Sequence, residues 1–525
     1  SYNSFADALL GNFRTYSEAN NDPIGFFRFT QIEAFVSDNW RVNRKLSLEI
    51  GLRYQWELPT YTQANNVINF IPGLFDPANA VTVLNGGIID LSKGGNRYNG
   101  LIRSGAGVPA DELGRVPLGN DPTALSLPDG APRGLYSTQN LLAPRFSFAY
   151  APTNDGKMAI RGGFGIFYDR PEGNIIFSSI NLPPYSNSQQ FENGNIANIA
   201  AAQAAAPAPF GNIRAIDPNL VAPRTMNFSL SVQRELRWGI FGEVAYVGNL
   251  GRHLLWNPDI NQPSFDARLA QPSISINALR PYQGFSAIQQ LRSEINSNYN
   301  SLQVYVTKRK GNFTFSTSYT WSKALSDTGD GNGNFDNPAE NGLFNRNFNY
   351  GPTSYDRRHI LSNTYTYQLI LFRKNSAWVR NAFSGWEVSG ITRWQTGQYL
   401  TPTGNTSIGN RRADYVSGED ASQQGSDPLT AYFNKAAFKV APNNLHGDAG
   451  IGMIEGPGRY FWDLSLRKSF SLTERVKLHF QADMFNAFNQ VLMNNPNTNV
   501  SDIAYGTING TAPARNIQLG LRLTF

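Results

Sequence analysis

The chain contains no cysteine, so neither a disulfide framework nor a thiolate metal site is open to it. No stretch approaches the roughly 20 consecutive apolar residues of a spanning helix, and a mean hydropathy of −0.37 is too polar for a helical membrane protein. Charge is sparse, at 16% of residues, and the 45 basic and 39 acidic side chains are interspersed. The net charge of +6 therefore forms no basic block of the kind a nucleic-acid surface needs, and no nucleic-acid partner is expected. Histidine is nearly absent: His253, His359, His446 and His479 are the only four, and no two have metal-ligand spacing. No GxSxG elbow or convincing Ser/His/Asp arrangement is present, so the chain is not expected to be an enzyme.

What is present is alternation. From Val476 the chain reads VKLHFQADMF, which puts Val476, Leu478, Phe480, Ala482 and Met484 on one face and Lys477, His479, Gln481 and Asp483 on the other. The closing NIQLGLRLTF repeats the pattern, with Leu519, Leu521, Leu523 and Phe525 opposed to Gln518, Gly520 and Arg522. LSLEIGLRYQW sets Leu48, Ile50, Leu52, Tyr54 and Trp56 against Glu49, Arg53 and Gln55. A single such segment suits a soluble sandwich. Repetition over about a dozen segments, with aromatics at 13% and long polar excursions between them, is the mark of a membrane barrel with lipid outside and water inside. Each crossing needs only ~9–11 tilted residues.

Strands are expected at 24–37, 46–56, 141–150, 158–168, 224–236, 240–250, 299–308, 313–321, 357–369, 384–395, 461–470, 476–486 and 514–525. Residues 1–23 form a lead-in, either loop or a short helix or strand, and 24–525 the barrel portion. Short connections near 38–45, 151–157, 237–239, 309–312, 370–383 and 471–475 alternate with long ones near 58–140, 169–223, 251–298, 322–356, 396–459 and 487–513. Outer-membrane barrels place short turns in the periplasm and long loops outside, so the chain is expected to end at the periplasmic side. Thirteen strands then leave the first and last running in the same direction, and bacterial barrels have even strand numbers. The expectation is an antiparallel barrel whose remaining strands lie upstream of this sequence, unless 1–23 hides a fourteenth.

On this pattern Glu49, Arg53, Arg145, Arg161, Lys477, Gln481 and Arg522 face the lumen. Asp356, Arg357, Arg358 and His359 form a polar cluster at the external rim, read as a ligand contact or an ordinary ion-pair cluster. Within the loop 327–341, Asp330, Asn332, Asn334 and Asp336 alternate as oxygen ligands of a hard cation do. However, Phe335 stands where a calcium loop needs glycine, and Asn341 where it needs glutamate, so a polar loop without bound Ca2+ is the competing reading. Gly162, Gly163 and Gly165 lie inside a strand with no Lys-Ser/Thr after them, which excludes a phosphate loop.

Several segments resemble the large TonB-dependent receptors of the Oar-like type: GRYFWDLSLRKSF from Gly458, LTERVKLHFQADMFNAFN, the closing ARNIQLGLRLTF, FVSDNWRV, LSLEIGLRYQWE and YDRRHI. The resemblance spreads over residues 6–525 and implies a barrel of about 22 strands, of which this chain is the C-terminal part. It implies a plug, a TonB-type energy transducer, outer-membrane lipid and lipopolysaccharide as partners, and a terminal Phe525 that signals barrel assembly. No plug or TonB box is recognisable in these residues. Two further classes remain open: a surface-structural or adhesion barrel whose loops bind partner proteins, and a passive porin.

Overall fold

The computed structural model describes residues 4–19, 22–114, 126–171, 173–180, 182–186, 188–199, 210–328, 349–370, 376–406, 409–443 and 445–525. Thirteen strands, paired in chain order, make one antiparallel sheet. They are β1 Phe27–Arg41, β2 Leu46–Thr62, β3 Gln139–Tyr150, β4 Met158–Tyr168, β5 Arg224–Glu235, β6 Ile240–Trp256 and β7 Phe285–Lys308. Then follow β8 Phe313–Ser326, β9 His359–Leu369, β10 Trp386–Gln395, β11 Arg459–Ser471, β12 Lys477–Phe485 and β13 Asn516–Thr524. Among the described residues β1 pairs only with β2, and β13 only with β12. No helix among them is long and apolar enough to cross a membrane.

The cross-strand register carries one face through the whole sheet. Leu52 stands opposite Val36 and Pro144, Leu230 opposite Gly162 and Tyr246, Leu302 opposite Trp321, and Leu466 opposite Val388 and Ala482. Leu519 and Leu521, each 70% exposed, end the row on β13. Among the described residues much of this apolar face is left exposed, as in a membrane wall whose partner is lipid. Four charged residues break the alternation near the short connections: Asp38 opposite Ile50, Arg234 opposite Met158, Lys308 between Ile240 and Phe315, and Lys468 between Trp386 and Phe480.

Glycines in the wall receive aromatic rings. Phe148 lies opposite Gly162, Phe228 opposite Gly248 and Tyr365 opposite Gly390, and at each glycine an added Cβ would collide with that ring. A ring laid over a facing glycine covers backbone that would otherwise be bare, which is the aromatic rescue seen in designed sheets.

The conventional hydrophobic core lies in the loops. Ile68, Phe70, Leu101, Tyr185, Ile213 and Phe285 pack in one cluster, drawn from the connections after β2 and β4 and from the start of β7. A second, built on Ala413, Phe433, Phe438, Ile454 and Tyr505, joins the connections after β10 and β12. The two bodies meet where the Phe265 ring lies 5.8 Å from that of His446.

One expectation needs correction, and the lead-in and the first long excursion take on definite structure. Residues 251–298 are not all loop: β6 continues to Trp256, and β7 starts at Phe285 and pairs in parallel with Gly211–Ile216. β7 outruns a membrane crossing because its first half belongs to the loop body, where Ile288 and Leu291 are buried. Residues 1–23 contain the helix Ser4–Leu9 and a strand, Asn12–Ala19, that pairs with Ser188–Asn195 rather than with the wall. The excursion 58–140 carries small hairpins of its own, Ile68–Phe70 with Leu101–Arg103 and Thr82–Val83 with Ile89–Asp90.

Leu521→Arg should destabilise the inserted protein by roughly 2–4 kcal/mol in urea titrations in lipid vesicles, with Leu521→Ala as reference. Gly248→Val should cost roughly 1–3 kcal/mol in the same titration, and the double variant Phe228→Ala/Gly248→Val less than the sum of its parts.

Candidate functional site: polar wall and loop layer

All seven residues expected in the lumen stand on one face of the sheet. Glu49 lies opposite Ser147, which faces Gly163, and the row continues through Ser229, Val247, Ser301 and Ser322. Arg145 and Arg161 share that face, as do Lys477, Gln481 and Arg522 on the last two strands. They are not gathered into one centre. Several are held locally instead. Arg53 pairs with Glu33, which also accepts from Gln55 Nε2 at 2.7 Å. Ser147 Oγ donates to Glu49 Oε2 at 3.2 Å. The Arg145 guanidinium lies 4.8 Å from the Phe167 ring centroid, a cation–π distance. Arg522 stands opposite His479, whose ring nitrogens meet Ser469 Oγ at 2.8 Å and Thr524 Oγ1 at 3.1 Å.

Two grooves open along the wall. One, of about 500 Å3, is lined by Glu49, Arg145, Phe167, Asn227, Asn249 and Tyr299. The other, of about 550 Å3, includes Arg309, Thr364, Ser389, Asp463, Arg467 and Asp483. Both combine charge of either sign with hydroxyls and aromatic surface, and the first adds the amides of Asn227 and Asn249, which suits a polar solute held by several weak contacts. Phe35 also stands on this face, opposite Arg53 and 80% exposed, where alternation alone calls for a polar residue.

The expected rim cluster separates into three environments. Asp356 is buried, and its Oδ1 accepts the Ala324 N–H at 2.9 Å. Burial raises its pKa above the usual carboxylate value, against the pull of that hydrogen bond and of Arg358, Lys323 and Arg357. Arg357 turns to the Ser354 carbonyl at 3.1 Å; burial lowers its pKa, with a further contribution from Arg459. The Arg358 carbonyl accepts the Ser322 N–H at 3.0 Å. His359 belongs to the apolar face, opposite Trp321. Its ring stacks 6.1 Å from Tyr319 and 5.9 Å from Trp394, and its Nδ1 lies 2.8 Å from Tyr319 Oη. The stack is built like an interfacial aromatic girdle. Among the described residues no ion pair joins Asp356 to either arginine. Asp330, Asn332, Asn334 and Asp336 lie outside the described residues.

Alternation along the strands could not reveal the joints between loops. Asn69 is fully buried, and its side chain takes both backbone groups of Ile216: Nδ2 donates to the carbonyl at 2.7 Å, and Oδ1 accepts the N–H at 2.9 Å. Asn261, also buried, receives the Tyr282 N–H at 2.8 Å and donates to the Ser286 carbonyl at 2.8 Å. Asp259 accepts from Arg280 at 3.0 Å and from the Ile288 N–H at 2.9 Å. Amides serve here because one side chain can satisfy a donor and an acceptor at once.

The family model described as outer membrane beta barrel domain matches residues 1–518. None of the curated protein sequences matches the chain. Among solved structures it is similar to the outer membrane transporter YddB from Escherichia coli, with 10% identity and a TM-score of 0.42, over 95% of this chain and 54% of that one. The ferripyoverdine receptor of Pseudomonas aeruginosa gives 9% identity and a TM-score of 0.41, over 95% and 39%. The FrpB iron transporter from Neisseria meningitidis gives 12% and 0.39, over 95% and 55%. The chain therefore spans about half the length of these structures or less.

The raised pKa of Asp356 has a direct consequence. A carboxyl that binds its proton more tightly when folded contributes stability at low pH and loses it as pH rises from the unfolded value through the folded one. Asp356→Asn should remove that fall: its stability relative to the native chain should increase as pH rises above about 4. Melting curves of both proteins across pH 3–8 measure the difference.

Proposed function

Since this chain belongs to the outer membrane beta barrel domain family, we propose that it forms part of the wall and the external face of a TonB-dependent receptor of the Oar-like kind. Its location is the outer membrane. In this reading the short connections face the periplasm and the long ones the outside, where they make first contact with a solute or peptide. The polar face, with Glu49, Arg145 and Arg522, then lines the passage. A plug and a TonB-type transducer, driven by the proton-motive force, would control release.

The observation that carries the reading is the pairing of two features at one end of the sheet. A largely polar face runs across the thirteen strands, interrupted by residues such as Phe35 and Val247, and the long connections fold into bodies with buried cores. Structured loops over a wet wall suit selective capture more than free diffusion. The same folded loops also suit docking of a surface protein. The two differ in whether a solute disappears from the medium.

The test uses the full-length protein in its own membrane. Cells with and without it are compared for depletion of small solutes and peptides from spent medium, with and without a protonophore. Depletion that needs both the protein and the proton-motive force supports the reading. Depletion insensitive to the protonophore points to a porin, and unchanged depletion with lost cell–cell or surface attachment points to adhesion. Asn69→Ala leaves both backbone groups of Ile216 without their partner, at a cost of about 1–3 kcal/mol to the loop body. It should weaken uptake while barrel insertion, read as heat-modifiable mobility on gels, stays intact.

A further inference from the structure

One short connection differs from the rest. The links 42–45, 151–157, 236–239, 309–312 and 472–476 are tight, whereas 370–385 is much longer and contains the helix Ala377–Phe383. By sequence this connection holds Arg373, Lys374 and Arg380 and no acidic residue. At about 100° per residue, Trp378, Val379, Ala382 and Phe383 fall on one side of the helix, and Asn381 on the other. The apolar side is not packed away. Trp378 is 74% exposed and Phe383 53%, their rings meeting edge to face at 6.4 Å.

The helix is tied down at its C-terminal end. The Trp386 indole N–H donates to the Ala382 carbonyl at 3.1 Å, and the Lys468 ammonium to the Ser384 carbonyl. Lys468 is one of the charged residues that break the apolar row. It is buried, with Nζ 5.2 Å from the Phe470 ring and 5.7 Å from the Trp386 ring. Trp386 in turn meets Phe470 and Phe480 edge to face at 6.3 and 6.1 Å. A cation in this position reaches from the lipid-side face to carbonyls that the helix leaves open, and favours the negative end of the helix dipole. The C-terminal end of the helix is thereby tied to two residues of the lipid-facing row, Trp386 and Lys468.

We propose that the helix Ala377–Phe383 is a membrane-interface anchor that seats on anionic phospholipid of the periplasmic leaflet, with Lys468 as the clamp that sets its position. This rests on the reading of the wall as membrane-spanning with its short connections in the periplasm. Two properties select lipid as the occupant. The helix, with Trp378 and Phe383 exposed, is tied at its end to residues of the face that already meets the bilayer, and by sequence the connection carries charge of one sign, opposite to that of an acidic headgroup. Amphipathic helices with basic residues and tryptophan or phenylalanine bind interfaces by that combination.

These 525 residues hold no cysteine, so a single introduced one reports alone once any cysteine elsewhere in the full-length protein is replaced by serine. Trp378→Cys, labelled with bimane in the full-length protein, is reconstituted into phosphatidylethanolamine vesicles with and without phosphatidylglycerol. Asn154→Cys in the tight link 151–157 and Leu521→Cys on the apolar face serve as references. The expected result is quenching at 378 by lipids brominated near the headgroup, and several-fold less quenching by aqueous iodide than at 154, with protection falling when phosphatidylglycerol is omitted. Lys468→Met should raise iodide access and label mobility at 378, and Lys468→Arg should restore the native values. Iodide access at 378 equal to that at 154, with 521 still lipid-embedded, overturns the anchor. Protection that appears only on adding periplasmic protein, or that ignores phosphatidylglycerol, overturns lipid or its charge as the occupant. A water-accessible label at 521 in the otherwise native chain condemns the membrane-wall reading instead. Should Lys468→Met fail to insert, the 521 label in that background shows it, and the Trp378→Cys comparison still decides the proposal.

Discussion

A backbone amide cannot be left unpaired in hydrocarbon, and the rest of this structure follows from that constraint. The eleven inner strands satisfy it by pairing on both sides with their neighbours in chain order. Pairing of this kind consumes the backbone and fixes where every side chain points, since a slip of one residue would turn each leucine to the wet face and each arginine to the lipid. The register holds instead, from Val36 opposite Leu52 to Leu478 opposite Leu523. With both faces of the wall committed, one to lipid and one to water, the wall has no interior in which to bury a protein core.

The core has therefore moved above it. Phe70, Tyr185 and Phe285 from separate connections are almost wholly buried together. The residues that join the loops are polar: Asn69 clips Ile216, and Asn261 clips the segment that starts β7. Loops have backbone groups that the sheet does not satisfy, and at these crossings a buried amide substitutes for water. A surface assembled in this way presents a defined shape to the outside, which is what a receptor or a docking platform requires.

At the opposite end the same constraint has another consequence. Residues near the short connections depart from strict alternation because the bilayer edge tolerates charge that its centre does not. Asp38 is exposed on the lipid-side face close to a turn. Lys468 is buried on it, between aromatic rings and the end of a helix. Neither departure weakens the wall, since each lies where water or headgroups are within reach.

The order and number of wall strands were legible in the sequence, because period-two alternation is a local signal and each strand carries its own copy of it. LSLEIGLRYQW and NIQLGLRLTF announce their faces without reference to any partner. The shared face of Glu49, Arg145 and Arg522 followed from the same rule once the register was known. What tertiary structure alone decided were the contacts between distant segments. Nothing near Asn12 indicates that it pairs beside Asn195, and nothing near His359 indicates that its ring lies between Tyr319 and Trp394. YDRRHI reads as one polar cluster, yet the chain turns there, burying Asp356 under Ala324 and sending His359 to the apolar face. Alternation determines which side of a strand a residue occupies; which partner it meets across space depends on how the loops fold over one another, and no local pattern encodes that.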